Sequence, residues 1–150
     1  MKRPQIAVCV EANGDSLHRI TLSLSPTFRL EGALFPELSS WFDTYLAGTP
    51  IPFPITPKGP CFHEKSWKAL STIPFGSTQS YGQIAALLGQ PNAARAVGNA
   101  CNKNPWPLLI PCHRVIQTNG KIGGFAIDLE IKQRLLEFER SVALRSQNTD

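Results

Sequence analysis

The sequence predicts an α+β fold: a small N-terminal subdomain of a sheet and a helix, followed by a helical C-terminal domain with a helix-turn-helix. Gln5 to Val10 is apolar and β-prone, and Ile20, Leu22 and Leu24 show the two-residue alternation of a half-buried strand. The stretch 49–60 contains five prolines and is expected to be a linker, since it cannot form a helix. Beyond it, apolar residues recur at helical spacing. We expect the subdomain with its linker to span 1–57, the second domain 58–142, and a flexible tail 143–150.

In the first half, Gln5 to Val10 is apolar and rich in β-branched residues, which predicts a strand. The sequence Asn13-Gly14-Asp15 predicts a turn. The alternation from Ile20 to Leu24 then predicts a second strand. A helix is expected to begin at Glu31 or Pro36 and to end near Ala47, because the glycine that follows favours a stop.

The second half is expected to be mostly helical. Phe62 to Ile73 has apolar residues near one face and ends at a proline. Two short helices, Ser80 to Leu88 and Ala93 to Asn102, are separated by a glycine and a proline, which is typical of a helix-turn-helix. A glycine-rich loop covers Asn119 to Gly124. The last helix is predicted from Asp128 to Val142.

Composition excludes several classes of protein. Hydrophobic residues make up 42% of the 150 residues, enough for a packed core, so a wholly disordered chain is excluded. No apolar run approaches the roughly 18 residues that span a bilayer. Acidic residues interrupt the N-terminal apolar segment, so we expect no signal peptide and a cytoplasmic protein. A net charge of +4 favours a polyanionic partner, although many small domains carry such a charge.

The four cysteines, Cys9, Cys61, Cys101 and Cys112, follow neither a zinc-knuckle spacing nor a compact disulfide pattern. Free thiols in a reducing compartment are the simplest interpretation. The alternative is a zinc site assembled from distant cysteines and the three histidines.

The second helix of the predicted pair has small residues that include Ala93, Ala94 and Gly98. Small side chains allow a helix to approach another surface closely, either a neighbouring helix or a nucleic-acid backbone. Arg95 is the charged residue among them, and a guanidinium can bind a phosphate or enter a base stack. The alternative is a solvated arginine.

The segment Pro111-Cys112-His113-Arg114 is the strongest candidate for chemistry. Neighbouring His and Arg side chains can favour a thiolate over a thiol. Since adjacent residues seldom point the same way, His113 is expected to act through a water or to be oriented by a third group. A carboxylate would suit that role, and spacing alone leaves three choices on the last helix: Glu130, Glu137 and Glu139. The alternative is a cysteine buried only as a small apolar residue.

Several motifs occur together in one order along the second half. They are Trp67-Lys68-Ala69-Leu70, Ile73-Pro74-Phe75-Gly76, Ser80-Tyr81-Gly82-Gln83-Ile84-Ala85, Ala93-Ala94-Arg95-Ala96-Val97-Gly98-Asn99-Ala100, Asn104-Pro105 and Ile110-Pro111-Cys112-His113-Arg114-Val115-Ile116. With them, residues 62–139 resemble the C-terminal domain of the O6-alkylguanine-DNA alkyltransferases, also called methylated-DNA–protein-cysteine methyltransferases. The first half matches only in its expected role as the smaller, sheet-bearing part.

The resemblance implies a catalytic role for four residues. Cys112 matches the alkyl acceptor, and His113 matches the residue that activates it through a water. Glu139 matches the carboxylate that orients the histidine. Asn104 matches the asparagine that braces the segment around the cysteine. No metal and no other cofactor is implied, and because a thioether is not reversed, each molecule is expected to react once.

The resemblance also implies a DNA-binding helix-turn-helix whose second helix lies in the minor groove. Arg95 matches the residue that enters the base stack when a nucleotide flips out, and Tyr81 matches the tyrosine beside the neighbouring phosphate. Ala93, Ala94 and Gly98 match the small residues of that helix. The partner is then double-stranded DNA carrying O6-alkylguanine, with O4-alkylthymine as a further substrate, and the protein is expected to act as a monomer.

The guanine pocket is expected to include Phe125, Ala126 and Pro107. Beside that pocket this sequence departs from the family pattern, because it has Ile127-Asp128 where the family usually has Gly-Gly. Asp128 then either caps the last helix or narrows the pocket, and a narrower pocket would favour small alkyl groups over bulky ones.

Three other functions compete with a single-turnover DNA repair alkyltransferase. A non-catalytic binder of alkylated DNA would need no acceptor cysteine, so Cys112 argues against it. A Cys–His–Glu thiol hydrolase would turn over repeatedly and would leave Arg95 without a role. A role as a transcriptional regulator would be supported by the helix-turn-helix alone.

Overall fold

The computed structural model describes residues 3–122 and 128–148, with side chains up to residue 145. Before the linker, the elements are β1 (Ile6–Asn13), β2 (Ser16–Leu24), β3 (Arg29–Gly32) and α1 (Pro36–Leu46). After it come α2 (Cys61–Leu70), β4 (Gln79–Ser80), α3 (Tyr81–Leu87), α4 (Ala94–Asn102), a 3₁₀ turn (Cys112–Arg114), β5 (Val115–Ile116) and α5 (Leu129–Asn148). The α+β prediction is confirmed.

The N-terminal sheet has the strand order β2-β1-β3. β1 and β2 form an antiparallel hairpin in which Ile6 lies opposite Leu24, and β3 pairs in parallel with β1. The possibility that the first helix begins at Glu31 is wrong, because Glu31 belongs to β3. Gly32 ends that strand at φ +96°, so close to β1 that a Cβ there would lie 2.2 Å from the carbonyl oxygen of Val10. The helix therefore begins at Pro36, whose fixed φ suits a first helical position.

The helix α1 packs its apolar face inward through Leu38, Trp41, Phe42 and Tyr45. Residues 49–60 form neither helix nor strand, as their proline content predicts. One continuous hydrophobic core includes side chains from before and after this linker. The N-terminal half is therefore packed directly against the rest of the chain.

The two short helices that the sequence predicts are α3 and α4. Ser80 caps α3 with a reciprocal capping box, in which its hydroxyl accepts from the Gln83 backbone N–H and the Gln83 side chain accepts from Ser80 N–H. The turn between the helices contains Gly89 at φ +76°, a conformation that glycine adopts without cost. Trp67 of α2 donates its indole N–H to the carbonyl of Ala100, which fixes α4 against α2.

The last helix is longer than predicted. It continues to Asn148 instead of ending at Val142, so the segment predicted as a flexible tail is helical through that residue. Ala143 is half-buried, and a Cβ built on Gly76 would lie 2.9 Å from the Cβ of Ala143. The additional turn of α5 therefore packs on the loop that contains Gly76. None of the helices in the described part of the chain has the length and apolar character of a bilayer span.

Candidate active site

Cys112, His113 and Arg114 form a single 3₁₀ turn in the interior. Their exposed fractions are 4%, 1% and 5%. The turn leads into β5, which pairs in parallel with β4. Because β4 ends at the residue that caps α3, this short pairing places the helix-turn-helix directly beside the cysteine.

Glu139 on α5 is the carboxylate that reaches the histidine. Its Oε2 lies 2.5 Å from Nε2 of His113, and its side chain is fully buried. The other two candidates, Glu130 and Glu137, are exposed and interact with Arg134 and Gln133 on their own helix. The structure therefore selects Glu139 among the three glutamates that sequence spacing left open.

Burial of Glu139 raises the pKa of its carboxyl, but the interactions with His113 and Arg114 outweigh this and lower the pKa to about 2. Arg114 donates from Nε to Oε1 at 2.8 Å and from a terminal nitrogen to Oε2 at 3.2 Å. The Gly76 N–H donates to Oε1 at 3.1 Å, and the Tyr45 hydroxyl donates to Oε2 at 2.8 Å. Glu139 is therefore an anion whose oxygens are well supplied with donors.

The tautomer of His113 follows from this carboxylate. Since the ionised Glu139 can only accept, Nε2 must carry the hydrogen, and Nδ1 of a neutral ring is left with a free lone pair. Nδ1 is buried and hydrogen-bonds to no residue that the structure describes. Burial lowers the pKa of His113 more than Glu139 raises it, so the ring is a neutral base at neutral pH.

The resting state of Cys112 is a thiol. Burial raises its pKa, while hydrogen bonding by Asn104 and the positive charge of Lys132 act in the opposite direction. A base is therefore needed to produce the thiolate, and His113 is the neighbouring residue in the chain.

The segment before the cysteine is held from two sides. Asn104 donates from its side-chain amide to the carbonyl of Ile110 at 2.9 Å and accepts from the Trp106 backbone N–H. The N-terminal sheet contributes the Ile20 backbone N–H, which donates to the Pro105 carbonyl at 2.9 Å. Within this segment Leu108 is buried at φ +80°, in the left-handed region that branched residues rarely adopt. The bracing position predicted for Asn104 is thus present in the structure.

Lys132 is the residue of this cluster that the sequence analysis missed. It is 2% exposed, and its ammonium lies 5.7 Å from the centre of the Tyr81 ring. Burial lowers the pKa of Lys132, while Cys112 and Cys101 raise it. Its position seven residues before Glu139 places both on one face of α5, which is the sequence pattern that could have indicated it.

The predicted DNA-binding residues lie on α3 and α4. Arg95 is exposed on α4 and forms no hydrogen bond or ion pair with any described residue. Ala93 and Ala94 beside it are half-buried, and Gly98 is buried. Tyr81, the first residue of α3, is buried and close enough to Cys112 for that thiol to raise its pKa, after the larger effect of burial.

The predicted pocket is only partly covered by the structure. Pro107 is buried and forms an isolated bridge with Ile110. Phe125, Ala126 and Ile127 lie outside the described residues. Asp128 accepts a hydrogen bond from the Glu130 backbone N–H at 2.8 Å, which is the geometry of a helix cap. Among the described residues, no three His, Cys, Asp or Glu side chains are grouped so that they could hold a metal ion.

Comparison with known proteins agrees with this geometry. The sequence profile described as 6-O-methylguanine DNA methyltransferase, DNA binding domain, matches residues 61–141. The chain belongs to the methylated-DNA–protein-cysteine methyltransferase family. Among relatives with that name, the one from Methanosarcina acetivorans is 46% identical over 109 residues, covering 71% of this chain and 70% of the relative. The one from Mycobacterium leprae is 44% identical over 118 residues, covering 77% and 72%.

Solved structures in this family have the same fold. The crystal structure of Mycobacterium tuberculosis OGT in complex with DNA superimposes with a TM-score of 0.72 at 32% identity, covering 91% of this chain and 94% of that one. An O6-methylguanine DNA methyltransferase from Methanococcus jannaschii superimposes with a TM-score of 0.61 at 27% identity, covering 89% and 87%. The family assignment and the fold class predicted from the sequence are confirmed.

Proposed function

We propose that this protein repairs O6-alkylguanine in double-stranded DNA by transferring the alkyl group irreversibly to Sγ of its own Cys112. The observation that carries the proposal is the buried array in which an anionic Glu139 fixes a neutral His113 next to a cysteine thiol. Membership of the methyltransferase family supports the reaction. The likeness to a DNA-bound structure supports the partner.

The substrate base must leave the double helix, because Cys112 is buried in the protein interior. Flipping a base out costs a few kcal/mol, least for a damaged one. Arg95, which is exposed, would fill the vacated stack, and the small residues Ala93, Ala94 and Gly98 would allow α4 to lie close to the minor groove, which is about 6 Å wide. Tyr81 would assist at the phosphate beside the flipped nucleotide, and Phe125, Ala126 and Pro107 would line the pocket for the base.

The chemical step is a displacement at carbon. Nδ1 of His113 accepts the thiol proton of Cys112 through a water, while Glu139 keeps Nε2 protonated and the ring oriented. The thiolate attacks the alkyl carbon, the bond from that carbon to O6 breaks, and the electron pair leaves with guanine. Guanine then takes up the proton that the thiol gave up. No cofactor takes part in this step, and it is irreversible because the thioether on Cys112 is not converted back to a thiol.

Lys132 favours the same step through its charge. A buried ammonium near Cys112 stabilises the thiolate relative to the thiol and so counteracts part of the effect of burial. Asn104 contributes through its hydrogen bonds to the segment that carries the cysteine.

We infer that the protein acts as a monomer in the cytoplasm, where a reducing environment keeps an acceptor thiol free. Each of Cys9, Cys61, Cys101 and Cys112 is a free thiol in the structure. We also propose residues 1–57 as a scaffolding subdomain and 58–142 as the catalytic and DNA-binding domain.

Intact-mass analysis tests the proposal. After incubation with a duplex containing one O6-methylguanine, we expect one added methyl group per protein molecule, located on Cys112 by peptide mapping. Cys112→Ala should gain no mass and still bind the duplex, whereas the matched control Cys61→Ala, which removes an exposed thiol, should react as the wild type does. A methyl group on another cysteine, or more than one turnover, would contradict the proposal.

A further inference from the structure

The hydroxyl of Tyr45 reaches the proposed catalytic carboxylate from the other half of the chain. Tyr45 lies on α1, 94 residues before Glu139 in the sequence, and is completely buried. Its hydroxyl donates to Oε2 of Glu139 at 2.8 Å. The reaction described above gives this hydroxyl no part.

The oxygen that Tyr45 contacts is the one that orients the base. Oε2 of Glu139 also receives the Nε2–H of His113 at 2.5 Å and a terminal N–H of Arg114 at 3.2 Å, so the hydroxyl, the imidazole and the guanidinium donate to the same atom. Each donor on a carboxylate oxygen stabilises part of its negative charge and so reduces the charge available to the other donors on that oxygen. The strength of the histidine–carboxylate interaction therefore depends on Tyr45.

The Tyr45 ring is held in place on several sides. It stacks on Trp41 with ring centres 5.3 Å apart, and the rings of Phe75 and Phe138 lie 5.5 Å and 5.7 Å away. Burial, and then the charge of Glu139, raise the pKa of the hydroxyl well above its usual range. Tyr45 is therefore a fixed, permanently protonated donor.

We propose that Tyr45 is a positioning residue for alkyl transfer: its hydrogen bond fixes Oε2 of Glu139 and limits the charge that this oxygen offers to His113. The inference rests on the proposed function, in which His113 is the base that activates Cys112. The N-terminal half then contributes to the rate through a specific hydrogen bond as well as through packing.

Tyr45→Phe removes the hydroxyl and keeps the ring. With one donor lost, Oε2 interacts more strongly with the imidazole and raises the pKa of His113. We expect the acid limb of the pH–rate profile for methyl transfer to move to higher pH. We also expect transfer at pH 7 to slow by roughly three- to tenfold, because Oε2 loses a hydrogen bond that holds it, and through it the imidazole ring, in position; this fold-change corresponds to about 1 kcal/mol.

Thr44→Val is the matched control on the same helix. The Thr44 hydroxyl donates to the Trp41 carbonyl at 2.7 Å, so this variant also loses a hydrogen bond without touching Glu139. Both variants are compared at equal folded fraction by circular dichroism. The Thr44 hydroxyl also accepts from the Ile51 backbone N–H at 3.4 Å, and neither partner contacts Glu139 or His113, so the control should keep the wild-type pH profile.

The experiment measures methylation of Cys112 by mass spectrometry from pH 5 to 9, and repeats it at pH 9 in a His113→Ala background. There the residual transfer no longer uses the histidine, so adding Tyr45→Phe should change the rate by less than about twofold. A Tyr45→Phe profile identical to that of Thr44→Val, or a full additive loss in the His113→Ala background, would overturn the role of Tyr45. Failure of the wild type to methylate Cys112 would instead overturn the proposed function.

Discussion

At the scale of single residues, burial separates chemically identical side chains into different roles. Glu139 and Glu137 lie on the same helix two residues apart, but only Glu139 faces the interior, where His113 and Arg114 keep it ionised. The same burial keeps His113 neutral and Cys112 protonated. The proton is thus on the sulfur of Cys112, and Nδ1 of the neutral His113 ring has a lone pair that can accept a proton.

His113→Ala should slow methyl transfer at pH 7 by roughly a hundredfold or more, which is the usual contribution of a general base. The loss should shrink as pH rises, because hydroxide forms the thiolate without help. Rates are measured from methylation of Cys112 between pH 6 and 9.5. His18→Ala, which removes an exposed imidazole, serves as the control and should keep the wild-type rate. A defect of equal size at every pH would show that His113 is not the base.

The sequence motifs, through the family they resemble, singled out Cys112, His113, Glu139 and Asn104, which the structure brings close together, but they indicated neither Lys132 nor the electrostatic interactions of the cluster. The spacing of the last helix could not choose between Glu130, Glu137 and Glu139; only the resemblance singled out Glu139. Lys132 was missed because a lysine in an amphipathic helix is ordinarily solvated, and its burial depends on how α5 packs against α3. Tyr45 could not be connected with Glu139, because contacts across 94 residues depend on tertiary packing.

At the scale of elements, Arg95 is the one charged residue of α4, a helix that lies entirely within the described part of the chain. Arg95 is exposed, and the residues on either side of it, Ala94 and Ala96, are half-buried alanines. A long side chain that is flanked by small residues can extend into a groove of the DNA without its neighbours colliding with the sugar–phosphate backbone. In the proposed function, α4 would therefore extend the Arg95 side chain into the DNA.

Arg95→Ala should slow repair of a methylated duplex at least tenfold and leave reaction with free O6-methylguanine base within about twofold. The reason is that the free base needs no flipping, so the cost of unstacking, a few kcal/mol, is absent. Lys103→Ala removes another exposed cation, at the end of the same helix, and is the control for loss of charge. Equal losses on both substrates would assign Arg95 to the fold or to the thiol.

The two short helices, α3 and α4, were predicted from the glycine and the proline between them, and their boundaries agree with the structure within one residue. β3 was missed because Arg29–Gly32 has too few residues to show a strand period, and it forms only beside β1. The end of α5 was placed six residues early, since the polar sequence after Val142 hides the contact of Ala143 with the Gly76 loop. Both errors concern elements stabilised by tertiary contacts.

At the scale of the whole molecule, the buried charges make stability depend on pH. The folded state keeps Glu139 ionised to about pH 2 and holds the pKa of His113 below its usual 6.5. In the unfolded chain both groups bind protons at higher pH than in the folded chain. The unfolded state is therefore favoured as the solution becomes more acidic.

We expect the free energy of unfolding to fall as pH drops below about 6.5, when His113 of the unfolded chain begins to bind a proton, and to fall further below about 4.5 through Glu139. The carboxylate alone accounts for roughly 3 kcal/mol between pH 4.5 and 2, from its lowered pKa. Urea titrations at pH 7, 5 and 3.5 measure the slope. Glu137→Gln, an exposed change on the same helix, should keep that slope, and a flat profile for the wild type would contradict the buried network.

In the proposed function each molecule accepts one alkyl group, so a molecule whose acceptor cysteine reacts with a free electrophile is lost for repair. Cys9 and Cys61 are open to solvent, whereas Cys112 is 4% exposed and stored in its unreactive protonated form. Dissolved alkylating agents therefore encounter the sulfurs of Cys9 and Cys61 first, and in the proposed function Cys112 meets only a base that has flipped out of the DNA. Each unreacted protein molecule can then repair one lesion, so the number of unreacted molecules in a cell sets how many lesions can be repaired before new protein is made.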